Sequence, residues 1–334
     1  MEPRPTRTWA ARIAWLGASL TLLSGCVPAP DWAGVQAERG KPVQRYDTFQ
    51  ALASHGSRVV AGAAGGVILT STDGGAHWAR QALAQPSSVL AVAACPDGSF
   101  AALDFYKKVW VQPAAGGEWA MRPVPTRSDL LALTCDPRNR LWAVGARTSI
   151  LWSADQGASW QARDLGDDAI LTTVQFIDDR RAVITGEFGA VLTSADGGAS
   201  WQPQPKIEGD FYPYAALFTD PVNGWVSGIA GVIKRTRDGG RTWTSQANPS
   251  GVPMYGLLRV ADELYGLGAG GRMVRLQGEQ WQAFEHGQAI PAYLSAGVAL
   301  DARSMLVAGA AGALNVIHLS TQVAQAPNDT KEAR

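Results

Sequence analysis

The sequence predicts an all-β fold, a seven-bladed β-propeller of four-stranded antiparallel blades with Asp-box turns. Three observations carry that expectation. An eight-residue box, Ser71-Thr72-Asp73-Gly74-Gly75-Ala76-His77-Trp78, returns at 153–160, 194–201 and 236–243 with its Asp and Trp kept each time. Counting two weaker copies that keep only Gly and Trp (Gly116 with Trp119, Gly278 with Trp281), the six Trp residues stand 41, 41, 41, 42 and 38 positions apart. Each Trp is preceded by the same series of short apolar runs broken by Gly, Asp and Asn, which is a strand–turn–strand signal. Repeats of this length whose units cannot bury a face alone stack into propellers or solenoids.

Within a unit, three strands precede the box and a fourth begins at its Trp. The fourth unit reads Val174-Gln175-Phe176-Ile177, then Asp178-Asp179, then Ala182-Val183-Ile184, then Gly186-Glu187-Phe188-Gly189, then Ala190-Val191-Leu192. The box Asp residues (Asp73, Asp155, Asp196, Asp238) are placed to accept backbone N–H groups in the turn. The paired Gly residues supply the positive φ of a tight hairpin. The Trp residues (Trp78, Trp160, Trp201, Trp243) are large enough to fill the wedge between blades. Structural roles account for the whole box. Counting third strands gives seven units, with six or eight as the other counts the spacing allows. The seventh, Tyr293 to Leu319, has no box, and a strand from Pro42 to Thr48 is the expected closure.

Residues 1–26 form a targeting segment: Arg4, Arg7 and Arg12, then an apolar run from Ile13 to Leu23, then Leu23-Ser24-Gly25-Cys26. The last four resemble a bacterial lipobox, so the expected mature chain starts at Cys26 with a lipid on its sulfur. Val27 after the Cys favours sorting to the outer membrane, on the periplasmic side of a bacterial envelope. Residues 27–42 read as a flexible tether, 43–320 as the propeller, and 321–334 as a disordered tail.

The composition excludes several functions. Lys+Arg and Asp+Glu are both 29, which gives no electrostatic footprint for nucleic acid. Only four His are present, none in a metal-ligand spacing, and no phosphate-cradling loop occurs, so no cofactor or metal is expected. The turns between second and third strands are mostly Gly and Ala, too bare for a converging acid/base pair. No catalytic residue is assigned.

Recognition is therefore expected on the face opposite the boxes. Lys107, Lys108, Arg127 and Arg147 fall in its turns on units two and three, either as a basic docking sector or as an ordinary solvated rim. Tyr214, Tyr255 and Tyr293, with Tyr212 nearby, recur at the start of units five to seven, either as interface anchors or as packing atop the innermost strands. Glu187 is a further candidate. Cys95 and Cys135 occupy matching places on consecutive units, open to a disulfide or to two buried thiols.

At the box the sequence resembles the broad Asp-box (BNR-type) propeller group, which includes sialidases. More closely it resembles the photosystem II stability/assembly factor family. The fifth unit matches that family's repeat at Phe218, Asp220, Gly224, Trp225, Gly228, Gly231, Ile233, Thr236, Asp238, Gly239, Gly240, Thr242 and Trp243. That resemblance implies a non-enzymatic, monomeric scaffold, lipid-anchored and bound to a membrane-protein subunit or membrane complex. The alternative is a glycan-processing or glycan-binding propeller, although the Arg-Ile-Pro segment usual in sialidases is absent.

Overall fold

The computed structural model describes residues 31–209 and 211–319. The lipobox Cys26 and the whole of the expected C-terminal tail lie outside them. Seven antiparallel sheets follow in chain order, at residues 49–82, 89–123, 130–164, 171–203, 213–246, 254–284 and 294–318. Six have four strands and the seventh has three. Each sheet is a simple meander. The innermost strands pack side by side around an axis, and those of blades one and seven meet to close the ring. The fold is a seven-bladed β-propeller.

Middle strands are the most apolar because both of their faces are covered by neighbouring blades. Blade four's second strand, Ala182–Gly186, is buried throughout, whereas its outermost strand, Gln202–Pro203, is exposed. Each box then does two jobs. Asp196 accepts the Ser200 N–H at 2.8 Å and the Ser200 hydroxyl at 2.6 Å, and the Ser194 hydroxyl donates to it at 2.9 Å. Ser194 Oγ in turn accepts the Gly198 N–H at 2.8 Å. This knot sets Gly198 at φ +85° against the preceding blade, where a Cβ would lie 2.3 Å from Trp142. Trp201 of the same box meets the Trp142 ring edge-on at 6.2 Å. The weak sixth box departs from this plan: Gly278 and Glu279 make a two-residue turn between Gln277 and Gln280. Arg235 and Arg237 of blade five both contact Glu279.

Closure differs from the sequence expectation. Residues 42–48 are not a strand, and blade seven ends at Leu314–His318 among the described residues. Pro42 has no N–H for a ladder, and the segment bonds to itself. Gln44 N donates to Asp47 Oδ2 at 2.8 Å, and Asp47 N to Gln44 O at 2.9 Å. Such local side-chain turns compete with strand pairing. The segment still joins the ends. Asp47 receives Arg80 of blade one bidentately at 2.7 and 2.9 Å, and its carbonyl accepts Gly312 N–H of blade seven at 2.8 Å. Ser295 Oγ of blade seven also donates to Phe49 O of blade one at 2.8 Å.

Two further details bear on the site. Ala33–Arg39, expected within a flexible tether, forms a short helix, α1. A disulfide joins Cys95 and Cys135, tying the ends of the innermost strands of blades two and three.

The boxes make stability depend on acid pH. Hydroxyl and backbone donors hold the Asp155 and Asp196 carboxyls down at about 2, against about 3.9 in an unfolded chain. Groups depressed on folding contribute fully above the unfolded value and lose that contribution as pH falls toward the folded one. The urea midpoint should therefore fall between about pH 4 and pH 2. Asp196→Asn should flatten part of that fall. An unchanged slope in the variant would show that the knots contribute nothing.

Candidate partner-binding face at the channel mouth

The strand register builds the site. In every blade the innermost strand starts opposite the end of the second strand, so those starts and the turns between second and third strands share one face. The Asp boxes lie on the other. At that start each innermost strand carries a one-residue bulge. The pairing passes from Phe49 to Ala51, Val89 to Ala91, Leu171 to Thr173, Pro213 to Ala215, Met254 to Gly256 and Leu294 to Ala296. In blade three it passes from Leu130 to Ala132. Bulges re-aim side chains. The seven skipped residues are Gln50, Leu90, Leu131, Thr172, Tyr214, Tyr255 and Ser295, and all line the axial channel.

The channel holds about 340 Å³, and its twenty-one lining residues are small, apolar or neutral polar. None is Asp, Glu, Lys, Arg or His. Gln50 Oε1 is buried at the mouth without a hydrogen-bond partner in the structure.

Tyrosines dominate one side of the mouth. Ring centroids run Tyr212 to Tyr214 at 5.9 Å, Tyr214 to Tyr255 at 5.3 Å, and Tyr255 to Tyr293 at 5.7 Å. Tyr214 and Tyr293 remain more than a third exposed. The four rings form one continuous ladder across blades five to seven, so the structure brings these predicted residues together. Burial, helped by nearby Glu187, raises the Tyr212 hydroxyl above the usual tyrosine range, keeping it protonated as a donor. Glu187 itself accepts the Ile170 N–H at 3.0 Å.

The basic candidates do not converge in the same way. Lys107 pairs with Asp129 at 3.1 Å, and Lys108 reaches Gln85 at 3.0 Å and buried Asp104 at 3.7 Å. Arg127 and Arg147 are exposed with no ion pair among the described residues. The four box Asp residues are spent on their own turns, and the box Trp residues on blade contacts.

Sequence reasoning missed the apolar turn tips on this face. Phe105 and Tyr106 in blade two, Phe188 in blade four and Ile229 in blade five are all more than half exposed. Phe188 sits at φ 55°, where the equivalent residue of blade six is Gly270. That turn position is also left-handed at Gly65, Arg147, Ala230 and Ala311, so what sets Phe188 apart is a bulky apolar ring there, open to solvent. The signal was a Phe in a turn whose counterparts are mostly Gly or Ala. A larger cavity, about 600 Å³, lies on the rim by Ser250, Arg272 and His286. Two of its polar groups are already engaged: Arg272 donates to Ser250 O at 2.6 Å, and His286 Nε2 lies 2.9 Å from Gly271 O.

The family model for the photosynthesis system II assembly factor YCF48 matches residues 112–205 and, overlapping them, 159–248. Residues 112–248, less than half of the chain, thus resemble the photosystem II assembly factor-like propellers. No curated protein matches its sequence. Among solved structures, this propeller is similar to YCF48 from Cyanidioschyzon merolae, at 16% identity and TM-score 0.67, covering 82% of this chain and 96% of that one. A structure of YCF48 bound to D1 peptide matches at 14% identity and TM-score 0.69, covering 82% and 94%. Virginiamycin B lyase from Staphylococcus aureus matches at 14% identity and TM-score 0.71, covering 83% and 96%. At these identities the likeness fixes the fold, and that fold serves both an assembly factor and a lyase.

Strain at Phe188 yields a test. A left-handed L-residue costs roughly 1–2 kcal/mol, and Gly in its place returns part of that as unfolded-state entropy. Phe188→Gly should therefore be about 0.5–1 kcal/mol more stable in urea titration. A clear loss of stability would instead mark Phe188 as a packing residue.

Proposed function

We propose that this protein is a non-enzymatic, lipid-anchored scaffold that holds a segment of a membrane protein against the channel mouth. The tyrosine ladder is the observation that carries this reading. Four rings in mutual contact offer a large, rigid, amphipathic surface at low entropic cost, which is what interface anchors require. Beneath it the uncharged channel accepts an apolar side chain, and Gln50 offers an acceptor for a backbone N–H. A related propeller of the same repeat family has been solved with a peptide of D1. Chemistry on this face has little support. The channel lining carries no acid/base pair, and Glu187, the nearest carboxylate named, is engaged with Ile170 N–H.

The anchor reading rests on Leu23-Ser24-Gly25-Cys26, with Val27 favouring the outer membrane of a bacterial envelope. A disulfide at Cys95–Cys135 suits the oxidising compartment beyond the inner membrane. A single chain closing its own ring suits a monomer.

Removing a central aromatic anchor typically weakens binding by about 2 kcal/mol, roughly thirtyfold. Tyr214→Ala and Tyr255→Ala should each reduce recovery of a membrane protein from detergent-solubilised membranes to that degree. Arg127→Glu and Arg147→Glu should matter less. Equal recovery with both Tyr variants would sink the ladder as the binding site, while turnover of a sialoside or glucan panel would make the protein an enzyme.

Cys26→Ala bears on the anchor alone. The variant should leave the membrane fraction and melt as the parent does, because Cys26 precedes the folded part. Retention after a high-salt wash, with the leader removed, would overturn the lipid attachment.

A further inference from the structure

We propose that the non-box face rests on the lipid bilayer, its apolar turn tips dipping into the headgroup region around the channel mouth. This rests on the lipid-anchor reading and adds an orientation to it.

Three observations point there. The first is asymmetry. Twelve large apolar side chains are exposed among the described residues, and eight of them lie on the non-box face, against Val222 alone in the turns of the box face. The second is their distribution. Tyr46, Phe105, Tyr106, Leu165, Phe188 and Ile229 come from the approach to blade one, the turns of blades two, four and five, and a link beside blade three. A groove for one peptide would gather such residues on one side, as the tyrosine ladder does. Apolar tips spread around a ring suit a broad, planar partner, and aromatic side chains suit the bilayer interface in particular. Phe188 takes the left-handed turn position that other blades fill with Gly65, Arg147, Ala230, Gly270 and Ala311, and it alone places a large apolar ring there, open to solvent.

The third observation is the leash. Helix α1 is fastened where the chain enters blade one, on this same face. Arg45 N donates to Glu38 Oε1 at 3.2 Å, and Gln44 Nε2 to Arg39 O at 2.8 Å. Cys26 precedes α1 by seven residues, which reach about 25 Å at full extension. The side of the propeller nearest the lipid is therefore the side with the apolar tips. Trp32 and Val35, on and just before α1, are exposed too. Charge does not drive the contact. Arg127 and Arg147 share this face with Asp167, Asp168 and Glu208, so the attraction is apolar and should persist on neutral lipid.

The test uses the full lipidated chain in phosphatidylcholine vesicles that carry spin-labelled acyl chains. Cys95 and Cys135 are bridged and Cys26 is acylated, so a cysteine introduced at position 188, 229 or 222 is the one free thiol for an environment-sensitive fluorophore. All three positions are exposed, and melting curves check that each labelled protein is folded. Labels replacing Phe188 and Ile229 should be quenched several-fold more than the label replacing Val222, with blue-shifted emission. Sedimentation with the vesicles but equal quenching at all three sites would overturn the seating and leave the anchor standing. Failure to sediment would overturn both.

Discussion

Blades one, four and five of this propeller each lean on the one before through a box glycine held at positive φ. Gly198 lies on Trp142, Gly240 on Val191 and Gly75 on Leu306, in each case a box glycine of one blade against a buried side chain of its predecessor. The positive φ at these positions is held by the Ser/Thr–Asp knot beside them. A sheet of four short strands cannot bury its own faces, so each blade needs its neighbour, and at these three the box supplies the contact. That is why the box Asp, Gly and Trp are fully occupied with architecture and why the box face offers little else.

A ring of such contacts has one seam, where the first blade has no predecessor in sequence. Gly75 and Trp78 of blade one still find Leu306 and Leu314 of blade seven, so the repeating contact crosses the seam. What does not repeat is the outer strand. The chain spends the residues before blade one on a turn at Asp47, which binds Arg80 on one side and Gly312 on the other. Asp47 is almost wholly buried, and a buried carboxylate is tolerable only when paired and hydrogen-bonded. Here both conditions are met by groups from the two blades being joined, so the clasp is specific to a correctly closed ring.

The fold was legible because its determinants are periodic. Asp, Gly and Trp recur at intervals set by blade size, and the apolar runs between them alternate with turn residues. The tyrosine cluster was legible for the same reason, since Tyr214 and Tyr255 occupy one register position in successive units. What escaped was whatever breaks the period. Phe188 and Ile229 stand at turn positions that other blades fill with residues as different as Ala, Gly, Tyr and Arg, and no repeat argument draws attention to them. Arg127 and Arg147 were visible as charges, but the pairing of Lys107 with Asp129 and of Lys108 with Asp104 depends on neighbours brought together only by the fold. The segment 42–48 failed as a strand because local hydrogen bonds at Gln44 and Asp47 outcompeted a ladder, a balance that composition does not reveal.

Stability and recognition are thus divided between the two faces. On the box face, side chains are tied into turns; changing one loosens a blade. On the other face, the bulge frees one residue per blade from the ladder, and that residue can vary without disturbing any cross-strand pair. Seven such positions ring the channel, here filled by Gln, Leu, Leu, Thr, Tyr, Tyr and Ser. The same fold occurs in YCF48 bound to a peptide and in a lyase. In this chain three consecutive blades contribute Tyr at or beside the bulge, and the channel walls carry no ionised group. The exposed apolar tips at Phe188 and Ile229 lie on that same face, where stability has least to lose.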